Sequence, residues 1–348
     1  YKSGSGERGI FNRQASKTVA GRNKRRDDNF EFGTNPCSEI ILRPFQFCNL
    51  SEVVVRESDQ EEDLLDKVEA ATILGTMQST LTSFKYLRRQ WKDTTEKERL
   101  LGVSLTGIMD HKILSGDVYN QSILPDLLKR MKQKAVDVNK VWAKRFGINQ
   151  ATAITCVKPS GTVSQLVNAA SGIHARHNEH YIRRVRGDKK DPLTKFLQSQ
   201  NIPTEDCVMK PDATAVFSFV EKAPSGCITR NRRSAIEQLD HWLVYAKYWC
   251  EHKPSITISV NEDEWLGVAD WCWRNFDDLS GVSFLPNFGH VYQQAPYEDI
   301  DKDMYNELKK SQPNKINWND LALYEQDDNT KSSQTLACSA NSCEVVDV

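Results

Sequence analysis

Apolar residues recur over 61–86 at Leu64, Val68, Ala71, Leu74, Met77, Leu81 and Phe84, steps of three and four that predict an amphipathic helix. A second helix is expected over 125–146, stopped by Gly147. A third is expected over 234–252, with Ile236, Leu239, Leu243, Ala246 and Cys250 on one face, and a Trp-rich fourth over 263–276. β-Branched runs predict strands at 151–157, 213–219, 255–260 and 281–286. The stretch 100–109, followed by His111, sets Gly102 and Gly107 among apolar residues and predicts a buried element where backbones approach closely. Strands alternating with helices from 151 to 286 are the signature of parallel βα units. Residues 1–33, with the triplet Lys24-Arg25-Arg26, read as a polar surface loop, and 189–232 as irregular. Residues 326–348 lack periodicity and are expected to be a mobile tail.

Composition narrows the function classes. Forty-six basic residues against 47 acidic leave no electrostatic footprint for nucleic acid or an anionic membrane surface. No apolar run approaches a membrane span, and nothing at the start reads as a signal peptide. The opening at Tyr1, already inside a Gly-rich stretch, suggests the C-terminal portion of something longer. Nine irregularly spaced cysteines fit a reducing cytoplasm, where a disulfide serves catalysis sooner than structure.

The chemistry concentrates in Thr34-Asn35-Pro36-Cys37-Ser38-Glu39-Ile40, with a further cysteine at Cys48. Pro36 biases Asn35 away from a helix, so an extended segment is expected, with Asn35, Cys37 and Glu39 on one face. An amide, a thiol and a carboxyl in one small volume suit an activated cysteine with a base beside it. Further on, Lys158-Pro159-Ser160-Gly161-Thr162-Val163-Ser164 breaks a strand just before an expected helix. This is either a plain helix cap or a phosphate cradle, and it is not a Walker A loop. His174, His177 and His180 sit among arginines with no accompanying metal-ligand pattern, and read as a polar loop near a substrate. Arg176 or Arg183 is a candidate partner for phosphate groups. Cys156 reads as a small core residue. Cys338 and Cys343, five apart in the tail, have the reach and access that thiol–disulfide exchange needs.

Asn35-x-Cys37-x-Glu39 with Cys48 eleven residues later resembles the active-site loop of ribonucleotide reductases, and the spacing is similar to that of the adenosylcobalamin-dependent, monomeric class II enzymes. The segments 255–260, 281–286 and 292–297 resemble late barrel strands of the same class. The resemblance implies an α/β fold: the C-terminal half of a ten-stranded α/β barrel, residues 1–325, with a finger loop at about 33–50 and a redox-active tail at 326–348. It implies a thiyl radical on Cys37, Glu39 as base, Asn35 as substrate ligand, Cys48 as half of a reducing pair, and Cys338 and Cys343 as its resetting couple. It further implies that Ser160, Gly161, Thr162, Val163 and Ser164 hold the phosphates of a ribonucleoside di- or triphosphate. Adenosylcobalamin is the implied cofactor. A thioredoxin-type reductant and an N-terminal half carrying the second reducing cysteine and the effector site are the implied partners. Two alternatives stand beside it: a class I large-subunit fragment, which the absence of any Tyr-Tyr pair disfavours, and a non-catalytic nucleotide-binding fragment of a split reductase.

Overall fold

In the structure, a computed structural model that describes residues 9–117, 122–287 and 293–325 and the backbone of 335–339 and 342–346, the chain divides into two units. The first comprises 1–176 with 226–287, the second 177–225 with 288–348.

Parallel extended segments form the centre of the first unit. Asn49–Val54 pairs in parallel with Leu101–Thr106. Single parallel bridges continue the row from Val103 to Thr155 and from Val157 to Pro254. Thr257–Val260 then pairs in parallel with Val282–Pro286, whose start is met antiparallel by Gly9–Ile10. Every residue of Leu101–Thr106 is buried, as befits a strand covered on both faces. Gly107 ends it at φ +83, and a Cβ there would stand 2.4 Å from the Val55 carbonyl oxygen. The helices Glu61–Gln78, Ile123–Phe146, Ala235–Tyr248 and Trp265–Arg274 pack their apolar residues into this unit's core. Gly147 closes the second of them in the left-handed conformation, as its position predicts.

The first helix is shorter than its pattern predicts. It stops at Gln78, and its buried stripe runs Leu64, Val68, Ala71, Thr72, Gly75 and Thr76. Leu74, Met77 and Leu81 are exposed, because the true 3.6-residue period carries the buried face past them. Arg89–Glu98 is a helix that hydrophobic periodicity misses, since it buries only Thr95 and Glu98. The third helix ends at Tyr248, and residues 249–255 follow as a turn and irregular chain, with one parallel bridge at Pro254. Trp249 holds that exit, its indole N–H donating to the Cys156 carbonyl at 2.8 Å.

The second unit is an antiparallel sheet in the order Tyr297–Asp299, His180–Asp188, Thr214–Lys222, Thr204–Asp206. The strand expected at 213–219 therefore belongs here and not to the parallel row, which limits the βα alternation to the first unit. Phe196, Leu197, Ile202, Ala215 and Phe217 form its main core. In the tail, the backbone of Thr335–Ser339 pairs antiparallel with Ser342–Val346, setting Cys338 opposite Cys343. No helix among the described residues is long and apolar enough to cross a membrane.

The basic triplet is not a solvated face. Arg26 is buried, and its guanidinium donates to Glu98 Oε2 at 3.1 Å, the Ile41 carbonyl at 2.8 Å and Gln46 Oε1 at 3.1 Å. Arg43 pairs with the other Glu98 oxygen at 2.6 Å and stacks over Phe30. Arg25 grips Glu251 with contacts of 2.6 and 2.5 Å. One carboxylate thus neutralises two buried guanidinium groups. Glu98→Gln leaves both without a full counter-charge and is expected to lower unfolding stability by about 3–5 kcal/mol, read as a lower urea midpoint. An unchanged midpoint would show that the cluster contributes nothing to the fold.

Candidate functional site

The Asn-Cys-Glu segment is the tip of a hairpin, not an extended strand. Gly33–Thr34 pairs antiparallel with Ile41–Leu42, and between them the chain turns at 35–38, closed by Ser38 N–H donating to the Asn35 carbonyl at 2.9 Å. Asn and Pro suit the first two places of such a turn, the one by local hydrogen bonding and the other by its fixed φ. Ser38 follows at φ +67. Asn35 Oδ1 accepts the Ile40 N–H at 2.9 Å, and the Thr34 hydroxyl donates to the Ile40 carbonyl at 3.0 Å. The expected convergence of three side chains by strand alternation is therefore replaced by a turn braced from within.

This turn separates its functional groups by depth. Cys37 is exposed, with its carbonyl fixed by the Ser255 hydroxyl at 2.6 Å. Glu39 is completely buried, and neither carboxylate oxygen has a hydrogen-bond partner among the described residues. Cys48 is half-buried; a Cβ on Gly102 would lie 3.2 Å from its sulfur and 3.1 Å from Ile40 Cδ1, so Gly102 makes room for both. Burial and the nearby Glu39 charge push the Cys37 thiol up, opposed by Lys158. Burial, again with Glu39, pushes Cys48 far above the ordinary thiol range. Cys156, in the core as expected, is raised by burial and by its neighbours Cys48, Cys250 and Glu39.

Residues 252–255 brace the turn. Lys253 N–H donates to the Glu39 carbonyl at 3.0 Å. His252 Nδ1 accepts the Ile41 N–H at 3.3 Å while its Nε2 meets the Leu101 carbonyl at 2.9 Å, the pattern of a neutral ring protonated at Nε2. Burial, helped by Arg26, holds that imidazole down to about 3. The Lys253 ammonium is itself buried, donating to Ser38 Oγ at 2.9 Å and the Ser280 carbonyl at 3.4 Å, with the Phe11 ring 4.6 Å away. Sequence reasoning missed Lys253, His252 and Ser255. The helical pattern ran over 252, and the one local signal is a His-Lys pair directly before Pro254 and a β-branched run.

The second candidate turn divides its residues between two duties. Ser160 and Ser164 are buried and bond one another: Ser160 Oγ accepts the Ser164 N–H at 2.9 Å, and the Ser164 hydroxyl donates to the Ser160 carbonyl. Gly161, Thr162 and Val163 are exposed, with open space around Gly161. The helix that follows is a single turn, Val163–Leu166.

His174 is half-buried in the first unit, accepting the Thr257 N–H at 3.1 Å, whereas His177 and His180 belong to the second. No group of metal-ligating side chains occurs among the described residues. Arg176 forks onto Asp110 with two contacts of 2.9 Å, which commits it to the core, and Arg183 meets the Tyr297 hydroxyl within the second unit. Cys338 and Cys343 are placed by backbone alone; their side chains lie outside the described residues.

No family model matches the chain. It is similar to the adenosylcobalamin-dependent ribonucleoside-triphosphate reductase of Lactobacillus delbrueckii subsp. bulgaricus, 30% identical over 339 residues that cover 88% of this chain and 45% of that protein. The reductase of the same name from Euglena gracilis is 28% identical over 307 residues, covering 86% of this chain and 40% of its own length. Among solved structures, a B-12 dependent (class II) ribonucleotide reductase superposes with a TM-score of 0.77 at 25% identity, over 93% of this chain and 48% of its own. A class Id α subunit from Actinobacillus ureae shares the fold at a TM-score of 0.52 and 14% identity. The chain thus spans less than half the length of the relatives it resembles.

Burial lowers the Lys253 ammonium from its ordinary 10.5 to about 7, with Glu39 pulling the other way. Between those values the unfolded chain binds the extra proton, so this group's contribution to stability rises with pH from about 7 upward and is flat below. Measured by urea unfolding, the native chain is expected to gain stability over Lys253→Met between pH 7 and 9, at up to about 1.4 kcal/mol per pH unit. A pH-independent difference between the two would show that Lys253 titrates as in water.

Proposed function

We propose that this chain is the C-terminal catalytic portion of an adenosylcobalamin-dependent ribonucleotide reductase, which converts ribonucleotides to 2′-deoxyribonucleotides as DNA precursors. Its parallel row would form half of a ten-stranded barrel, with the hairpin at 33–42 as the finger inside it. The observation that carries this reading is the hairpin tip, where an exposed thiol at Cys37 stands two residues from a wholly buried, unpartnered carboxylate at Glu39. The likeness in sequence to named reductases supports it.

Adenosylcobalamin supplies, when bound, a carbon-centred radical by cleavage of its cobalt–carbon bond. The exposed lip of Pro36 and Cys37 fits such a group, because the sulfur faces outward where a large cofactor can reach it. Cys37, as a thiyl radical, takes the 3′ hydrogen atom of the ribose. Glu39 takes the 3′-hydroxyl proton, and the Asn35 amide, anchored at Oδ1, keeps its Nδ2 donors for the substrate. The 2′-hydroxyl takes a proton from the thiol pair and leaves as water. Cys48 and a second thiol from the rest of the enzyme supply two electrons and the hydrogen that replaces the hydroxyl as they close a disulfide. Cys37 returns its hydrogen atom to the 3′ carbon. The N–H groups of Gly161, Thr162 and Val163, with the Thr162 hydroxyl, hold the substrate phosphates; Ser160 and Ser164 shape that turn. Cys338 and Cys343, facing each other across the tail hairpin, exchange with the active-site disulfide and are reset by a thioredoxin-type protein. The seven free cysteines among the described residues fit a reducing, cytoplasmic setting.

The test is a reductase assay with the polypeptide that supplies the first half of the relatives' length. Turnover is expected to require adenosylcobalamin and no iron or manganese subunit, and Cys37→Ser to abolish it, since an O–H bond is too strong for the radical to form. Full activity without cobalamin would overturn the class.

Cys338→Ser with Cys343→Ser is expected to leave one turnover per enzyme intact and to block regeneration by a thioredoxin-type protein. Loss of that first turnover, read by rapid quench, would remove the tail from the role of electron shuttle.

A further inference from the structure

The helices of the first unit's core form one layer whose two ends differ from its middle. Glu61–Gln78 packs on Ile123–Phe146, that helix on Ala235–Tyr248, and that one on Trp265–Arg274. Each end helix buries one face in the core and still exposes large apolar side chains on another. Leu74 is 57% exposed and Met77 49%, and at the other end Leu266 is 88% exposed and Trp273 82%. Of the middle helices, Ala235–Tyr248 exposes no large apolar side chain and Ile123–Phe146 only Ile123 and Val141. A helix that is apolar on more than one side is ordinarily covered on each of them.

We propose that the two open flanks of this layer are docking faces, each seating an amphipathic helix of the polypeptide that completes the reductase. The proposal rests on the reductase reading for the identity of that polypeptide and names the residues that meet it.

The exposed residues point away from the layer's own helices. On Trp265–Arg274, Gly267 approaches Ile236 and the Trp271 indole donates to Asp240 at 2.7 Å, so this side faces Ala235–Tyr248. At about 100° per residue, Leu266, Ala269 and Trp273 lie on the opposite side. On Glu61–Gln78, Thr76 accepts from the Asn139 amide at 2.9 Å and Glu69 pairs with Lys134, so this side faces Ile123–Phe146. Leu74 lies on the far side, with Met77 next to it.

The backbone is open at the same two ends. Asn49–Val54, which packs on the first end helix, is paired along one edge only among the described residues. Val282–Pro286, whose Phe284 meets Trp265 of the last, is covered on its outer edge only at its start, by Gly9–Ile10. An unpaired strand edge is a template for a further strand. Apolar flank and open edge thus coincide at both ends, as they do where a sheet with its helices is cut in two places.

The relatives have the length to supply the rest. The chain covers 45% and 40% of two named reductases, so each has more than half its length outside the match. A second copy fits less well. Two like ends meeting about a two-fold axis would set Glu262, Asp263, Asp270 and Asp277, exposed around Leu266 and Trp273, against their own copies. The helix seated there is expected instead to carry Lys or Arg beside its apolar stripe.

Hydroxyl-radical footprinting read by mass spectrometry tests this on the unmodified chain, alone and joined by the polypeptide that supplies the first half of the relatives' length. Met77 and Trp273 are expected to react several-fold more slowly in the completed enzyme, and Val141, on a middle helix, at an unchanged rate. Trp273→Glu and Leu74→Glu are expected to leave the urea midpoint of the chain alone unchanged, since both residues are exposed in it. Each should lower the midpoint of the completed enzyme by about 0.5 M or more. Unprotected Met77 and Trp273 in an enzyme that turns over overturn the proposal, as does a completed-enzyme midpoint that neither variant moves. Protection already present in the chain alone, with the mass of a dimer by light scattering, assigns the faces to a second copy and also overturns it. Protection in a completed complex that reduces no nucleotide leaves the docking faces standing and overturns the reductase reading instead.

Discussion

The site depends on hydrogen bonds that the hairpin at 33–42 cannot make for itself. Two residue pairs are too few to hold a hairpin in water. The tip is held instead by residues 252–255: Lys253 N–H on the Glu39 carbonyl, His252 on the Ile41 N–H, and the Ser255 hydroxyl on the Cys37 carbonyl. The base is held by Arg26, whose guanidinium binds the Ile41 carbonyl while Glu98 neutralises it. His252 ties both ends to the Leu101–Thr106 strand through the Leu101 carbonyl. Three segments far apart in the chain thus position one turn, and a fault in any of them reaches Cys37 and Glu39.

The electrostatics of that arrangement favour one kind of sulfur chemistry. A cysteine that attacks as a nucleophile needs its thiol lowered, by a nearby cation or a helix N-terminus. Here burial and Glu39 raise both Cys37 and Cys48, so both remain S–H at neutral pH. An intact S–H bond is what hydrogen-atom exchange consumes and what a dithiol reductant must offer. The carboxylate proposed as the base also helps keep the thiols protonated around it.

What was legible in the sequence was what is local in the chain. Asn35, Pro36, Cys37 and Glu39 are near neighbours, and Cys48 is set by spacing, so the cluster announces itself. Its shape was misread because Pro36 was weighed as extending the chain when Asn-Pro also begins a turn. Lys253 and Arg26 stayed hidden because their importance lies in partners about 215 and 72 residues away. Helix 89–98 lay outside the apolar pattern because it buries almost nothing apolar, and the 214–222 strand lay outside the expected sheet because pairing partners leave no mark on a single strand. The tail hairpin has the same cause: its strands have only each other to pair with.

One strand links the two halves of the proposed chemistry. Residues 153–157 run beside Leu101–Thr106, and the same chain continues through Lys158 into the Ser160–Ser164 turn. Lys158 is fixed by its N–H on the Ser104 hydroxyl at 2.8 Å, and its charge reaches Cys37. The lysine therefore acts on Cys37 through its charge and stands three residues before the exposed stretch 161–163. In the proposed mechanism a hydrogen atom is taken at the exposed Cys37 before electrons are supplied from the more buried Cys48, so the depth order of the two thiols matches the order of those steps.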